Sequence, residues 1–300
     1  MRHRFAFALA LSILILCQAC ALTSPQAPTG KPAVSSSTTL LADIAQNVAG
    51  DRFTIRSIIS PGTDPHTYQP VPADLAKISE VSLLIVNGVG YEDFLAPILK
   101  SSAAGLTVLE ASAGLPLRSN SEIEGGRDPH LWLDPNNVIG YVNNIRDGLI
   151  KLDPDGEAEY RFNADAYVKK LEELNGWITS EVSRIPAERR VLVTNHDALG
   201  YFADRYGFQV IGTLLASVSS QASISAQDLR AVIDEIRSTG APAIFLDEVE
   251  SRTLAAQVAE ETGVAVVDDL HIESLTNGPP AGTYLDMMKF NVDRIVNALK

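Results

Sequence analysis

The sequence predicts an α/β protein of two lobes, each a parallel β-sheet covered by helices, joined by one long rigid α-helix. Three observations carry this reading. At 300 residues the chain exceeds the size at which a single core stops growing. Short apolar runs alternate with amphipathic helical stretches on both sides of residue 150, the mark of parallel sheets covered by helices. Between the halves, Asp155–Arg184 has no proline and repeats apolar residues at Tyr160, Ala164, Tyr167, Leu171, Leu174 and Ile178. As one helix, about 30 residues would span ~45 Å, longer than a small domain is wide.

Residues 1–19 read as an export signal. Arg2 and Arg4 precede an apolar run, Phe5 to Leu16, that is too short to span a bilayer. Both cysteines of the chain, Cys17 and Cys20, lie at its end. Ala19 before Cys20 fits signal cleavage, and a cysteine at that place predicts lipidation of Cys20, although Cys17 replaces the usual aliphatic residue three positions earlier. Residues 20–38, rich in Ser, Thr and Pro, then read as a lipidated flexible tether. The first lobe is expected over residues 39–152, the linking helix over 153–187 and the second lobe over 188–300.

Within the first lobe, helices are expected at Thr39–Gly50, Pro72–Glu80, Tyr91–Lys100 and Asn136–Leu152. Strands are expected at Phe53–Ile59, Ser82–Asn87 and Leu106–Leu109. In the second lobe the strands are Val191–Thr194, Gln209–Gly212, Ala243–Leu246 and Val264–Val267. Its helices are Leu199–Tyr206, Ala226–Ser238, Thr253–Thr262 and Tyr284–Leu299. Ser82–Asn87 (SLLIVN) has the continuous apolar character of a strand buried on both faces.

Composition excludes several functions. The net charge of −13 argues against nucleic-acid binding, which needs a cationic surface. Two cysteines, both at the export signal, exclude cysteine-based zinc fingers and iron–sulfur clusters. The chain has five histidines, and three fall at strand-to-helix turns: His66 in SPGTDPHTYQP, His130 in GGRDPHLWLDP and His196 in VLVTNHDALGYF. The carboxyl ends of strands are where ligands bind in open α/β sheets. Any one of these histidines alone would read as a solvated or capping residue, and Asp-Pro-His can be a turn in which Asp caps the backbone. Three together form a good set of donors for a divalent transition metal, usually completed by a carboxylate. Asp268, read as the first residue past the strand Val264–Val267, is the candidate carboxylate. Asp269, His271 and Glu273 are neighbours that could replace it. Asp64, Asp128 and Asp197 adjoin the histidines and could orient their rings from outside the donor set, or serve as caps.

The chain resembles the zinc/manganese-binding solute-binding lipoproteins of bacterial ABC importers over about residues 38–300. The resemblance is carried by SPGTDPHTYQPVPADLAKI, DPHLWLDPNN, VTNHDALGYFADRYG and YLDMMKFNVDRI. It implies two α/β lobes joined by a long helix, with a metal between them bound by His66, His130, His196 and Asp268. It also implies zinc(II) or manganese(II) as the carried ion and a partner complex of ABC permease and ATPase. The location would be extracytoplasmic, with membrane attachment through the lipid, and the protein a monomer. Some manganese members carry a glutamate where this chain has His196. Many zinc members carry a His-rich loop, and Leu117–Arg127 here contains no histidine. Three nitrogens and one carboxylate suit zinc better than manganese. Two alternatives remain at this level: a secreted zinc-dependent hydrolase, against which stands the lack of a His-Glu-x-x-His helix, and a binder of a metal chelate in the same cleft, which would need the three histidines to be far apart.

Overall fold

The computed structural model describes residues 32–101, 105–119, 126–215 and 224–300. The export signal, Cys17 and Cys20, and most of the tether lie outside the described residues. Strand β1 (Val34–Ser36) precedes helix α1 (Thr39–Ala49), and the elements β2 (Arg56–Ser57), α2 (Pro72–Ser79), β3 (Leu83–Val86), α3 (Ala96–Ser101) and β4 (Thr107–Glu110) follow. Helix α4 (Pro135–Leu152) leads through a short 3-10 turn into α5 (Glu157–Val182). The second lobe contains β5 (Val191–Thr194), α6 (Gly200–Tyr206), β6 (Gln209–Thr213), α7 (Ala226–Thr239), β7 (Ala243–Asp247), α8 (Thr253–Thr262), β8 (Ala265–Leu270) and α9 (Tyr284–Leu299).

The two sheets share one topology. Their strand orders are β2-β1-β3-β4 and β6-β5-β7-β8, and every neighbouring pair is parallel. Each chain segment therefore leaves its first strand in one direction and returns across it, which puts the carboxyl ends of the strands on one ligand-accepting edge.

Alternation along the strands explains why both faces are covered. In β3, Leu83 and Ile85 enter the main core, while Leu84 and Val86 join a separate cluster with Ile58, Ile78, Val81 and Leu95. In β7, Ala243 and Phe245 face the main core, while Ile244 and Leu246 pack with Val193, Ile233, Ile236 and Val258. Period-two projection thus sends successive residues to opposite helix layers. The main core is continuous across both lobes: Leu41, Ile85 and Val142 share it with Leu192, Phe245 and Val292.

Helix α5 is 26 residues long, or ~39 Å at ~1.5 Å per residue. Its buried stripe is Tyr160, Ala164, Tyr167, Leu171, Leu174, Ile178 and Val182, a spacing of three and four that packs one face against α4, α1 and α9. The helix is shorter than the expected Asp155–Arg184 because Pro154–Gly156 and the residues after Val182 form tighter turns.

Three expectations are corrected. The tether does not run to residue 38, because Val34–Ser36 pairs with both β2 and β3. Its sequence, Val-Ser-Ser, lacks the apolar run that marks a buried strand, and the buried Ser36 hydroxyl is satisfied by donating to Thr38 O at 2.9 Å. The strand expected over Phe53–Ile59 is only Arg56–Ser57. Strand β8 runs on to Leu270, three residues beyond the expected end at Val267.

Candidate metal centre

Three imidazoles and one carboxylate converge where the carboxyl edges of the two sheets meet. His66 follows β2 and His130 follows β4 at some distance; His196 lies two residues beyond β5 and Glu273 three beyond β8. One donor atom from each lies within 4.8 Å of the others. Glu273 Oε1 is 3.5 Å from His66 Nε2, 3.1 Å from His130 Nε2 and 3.3 Å from His196 Nε2. The three rings stand 5.4–5.6 Å apart between centroids. His130, His196 and Glu273 are buried, and the His66 side chain is 9% exposed.

The histidines expected from sequence are thus brought together, and Asp268 is not among them. It lies inside β8, where its Oδ2 pairs with Arg252 Nε at 2.6 Å. The physical reason is the length of the strand. Asp268 and Asp269 are partly exposed strand residues, so the edge of the sheet comes after Leu270 and the carboxylate beyond it is Glu273. Asp269 pairs with Arg294 at 2.8 Å, and His271 lies 3.0 Å from Glu248 Oε1. Of Asp268, Asp269, His271 and Glu273, only Glu273 reaches the imidazoles.

The rings of His130 and His196 are aimed by buried carboxylates. Asp128 Oδ1 accepts the His130 backbone N–H at 2.9 Å and lies 2.8 Å from Nδ1 of the ring, so this Asp both caps the turn and orients the imidazole. Such a bond directs Nε2 at the metal position and raises its basicity. Asp64 Oδ1 accepts the His66 backbone N–H at 2.8 Å, a capping role. Asp197 Oδ2 lies 3.3 Å from Arg118 Nη1. The carboxylate on His196 Nδ1 is Glu250 Oε1, at 2.5 Å. Glu250 also accepts from Asn195 Nδ2 at 2.8 Å and from the Asp247 backbone N–H at 2.8 Å.

Glu273 is held mainly by contacts that no local pattern announces. Tyr91 donates its hydroxyl to Oε2 at 2.5 Å, leaving Oε1 facing the three nitrogens. Asp247 Oδ2 accepts the backbone N–H groups of Ile272 at 2.5 Å and Glu273 at 2.8 Å. Trp132 Nε1 donates to Ile272 O at 2.9 Å, and Leu275 N–H to Thr39 Oγ1 at 2.9 Å. Tyr91 projects from the turn Gly88-Val89-Gly90, in which β-branched Val89 sits at φ 59°, a strained conformation held by its surroundings. Glu250, Asp247 and Tyr91 were not legible in the sequence. The one available signal was position: Asp247 ends β7 and Glu250 follows it, at the same edge as the histidines.

The electrostatics suit a cation. Burial alone would lower the histidines, but Glu273 and Asp128 raise His130 to about 9. For His196, burial again opposes, and Glu250 with Glu273 carries it to about 10. Burial pushes Glu273 up, yet the three imidazoles hold its carboxyl well below the usual range. Asp247 is driven to about 8 by burial and by the charge of Glu273.

Two α/β lobes on a helical spine, with buried nitrogen and oxygen donors where they meet, define a metal-site protein of the bilobal binding class. The family of periplasmic zinc-uptake complex component A matches residues 34–298, and the chain belongs to that family. The iron-binding protein YfeA of Yersinia pestis is 35% identical over 289 residues, covering 95% of this chain and 92% of that protein. The manganese-binding lipoprotein MntA of Halalkalibacterium halodurans is 34% identical over 270 residues, with coverages of 89% and 88%. Among solved structures, the periplasmic zinc-binding protein TroA of Treponema pallidum superposes with a TM-score of 0.83 at 30% identity, covering 90% of this chain and 99% of that one. The manganese-bound periplasmic metal-binding protein of Candidatus Liberibacter asiaticus gives 0.80 at 30% identity, with coverages of 90% and 100%.

Proposed function

We propose that this protein is an extracytoplasmic solute-binding protein that captures one divalent transition-metal ion and delivers it to an ABC importer. His66, His130 and His196 would bind through Nε2 and Glu273 through Oε1. The observation that carries this reading is the convergence of four buried donors, two from each lobe, within 4.8 Å. That spacing suits a bare ion and is too close for a chelate lying between separated histidines. Four protein donors complete a tetrahedral shell and leave no position for an activated water, which favours carriage over hydrolysis. The ion is cargo, and the permease and ATPase of the importer are the partners. Cys20 would carry the lipid that holds the protein at the outer face of the membrane.

Zinc is the first expectation and manganese the second. Three imidazoles favour zinc, and the Tyr91 hydroxyl on Oε2 favours one-oxygen binding by Glu273. The names of the relatives span manganese, iron and zinc. Elemental analysis of protein purified without chelators, followed by competitive titration, tests both points. Failure of the protein to bind any of these metals overturns the function, and tighter binding of manganese than of zinc overturns the order.

The core offers a mechanical corollary. Because the main core runs through both lobes and α5 is continuous, release calls for small tilts and rearrangement of the turns bearing the donors, with the lobes staying in contact.

A further inference from the structure

Between the two lobes, one cation holds three carboxylates. Arg118 lies on the first-lobe segment after β4. Its Nη1 is 3.3 Å from Asp128 Oδ2 and 3.3 Å from Asp197 Oδ2, and its Nε is 3.1 Å from Asp204 Oδ2. Asp128 belongs to the first lobe and is fully buried; its other oxygen contacts the His130 ring. Asp197 and Asp204 belong to the second lobe, and Asp197 directly follows His196.

The surrounding backbone is built for this approach. Arg118 N–H donates to Tyr201 Oη at 2.8 Å, and Tyr201 donates to Asp128 O at 3.1 Å, so a second-lobe side chain is bonded twice to the first. Gly200, at the start of α6, has no side chain where a Cβ would lie 2.3 Å from Arg118 Nη1. Any larger residue there would push the guanidinium away. Without the cation, Asp128 and Asp197 would face each other across the seam as like charges in a weakly screened place.

We propose that Arg118 is an inter-lobe clasp: one guanidinium joins the carboxylate that aims His130 to the carboxylate beside His196, and so sets how fast the metal is released. The inference rests on the metal-capture reading above. Arg118 is a positioning residue, since it touches no donor of the candidate site in the described contacts. Release requires the turns of His130 and His196 to separate, and the clasp opposes that separation. Its loss therefore speeds dissociation while leaving association, which depends on an already open site, little changed.

The test is stopped-flow release of zinc from loaded protein into excess chelator, paired with measured association rates. Arg118→Met is expected to raise the dissociation rate about tenfold, in the range found for residues that support metal ligands, with association within about threefold of wild type. Arg118→Lys, a single ammonium without the fork, should recover part of the loss. In an Asp197→Asn/Asp204→Asn background the Arg118→Met effect should shrink to about threefold or less, because both second-lobe carboxylates that hold the guanidinium are then neutral. An unchanged dissociation rate in Arg118→Met overturns the clasp. So does an undiminished effect in the Asp197→Asn/Asp204→Asn background, which would mean that Arg118 acts within the first lobe alone. If Arg118→Met does not fold, Asp197→Asn/Asp204→Asn and Arg118→Lys carry the same test through their own release rates, with wild-type release in both overturning the proposal. A wild-type protein that never loads metal fails the function itself, a result distinct from loaded protein that releases at an unchanged rate.

Discussion

The two lobes have the same strand order, yet they present their donors in different ways. In the first lobe the donors are announced by sequence: His66 and His130 both sit in Asp-Pro-His turns, and Asp128, two residues before His130, aims its ring. In the second lobe the corresponding parts are scattered. The carboxylate that aims His196 is Glu250, 54 residues away, and the Glu273 carboxyl is fixed by Tyr91 from the other lobe. The first lobe therefore builds its half of the site from local turns, whereas the second builds its half from tertiary contacts. Local turns survive in a sequence reading, and assembled ones do not.

The largest expected effect tests whether Glu273 belongs to that assembled half. Glu273→Ala should weaken zinc binding by more than about a hundredfold in competitive titration, beyond the range typical of outer contacts. Binding within tenfold of wild type would return the carboxylate role to another residue. Next comes the comparison of the two aiming carboxylates. Asp128→Asn and Glu250→Gln should each weaken binding about 10- to 100-fold, with near equality showing that a local and a distant partner do the same job. A loss confined to Asp128→Asn would break the parallel.

Acidity should act through both lobes at once. In the metal-free protein His130 titrates near 9 and His196 near 10, because buried carboxylates outweigh the burial that would lower them. Both are raised above the ordinary histidine value, so their protonated forms stabilise the metal-free fold. That stabilisation is complete below about 6.5 and is lost as pH rises through 9 and 10. Metal must displace the same protons, so apparent affinity should rise with pH over that window. Calorimetry at pH 7 in buffers of different ionisation heat should show about two protons released per ion. The gain in melting temperature on adding metal should be larger at pH 9 than at pH 6, and a gain that falls with pH would contradict these assignments.

The smallest effect is expected at Asp268. Its ion pair with Arg252 is partly exposed, and such pairs contribute about 0–1 kcal/mol. Asp268→Asn should leave zinc affinity within about twofold and melting nearly unchanged. A large loss of affinity there would mean that β8 ends earlier than the fold shows.

The part of the site that could be read in advance depended on strand ends. The position of His196 just past a strand is legible because Val191–Thr194 runs out into polar residues. Glu273 escapes a sequence reading because β8 continues through two adjacent, partly exposed aspartates, a pattern that looks like a turn, and ends only at buried Leu270. The same difficulty hides β1, whose two serines carry no hydrophobic signal and whose place in the sheet comes from pairing with β2 and β3.

Sequence alone determined the α/β alternation, the long helix and the three histidines, because these depend on periodicity and on turn chemistry that act over a few residues. Tertiary structure decided that Glu273 and not Asp268 faces the imidazoles, that Glu250 and Tyr91 support the site, and that Arg118 bridges the lobes. Those choices rest on where a strand ends against its neighbours and on which distant side chains the shared core brings within hydrogen-bonding reach, and no local stretch of the chain encodes either.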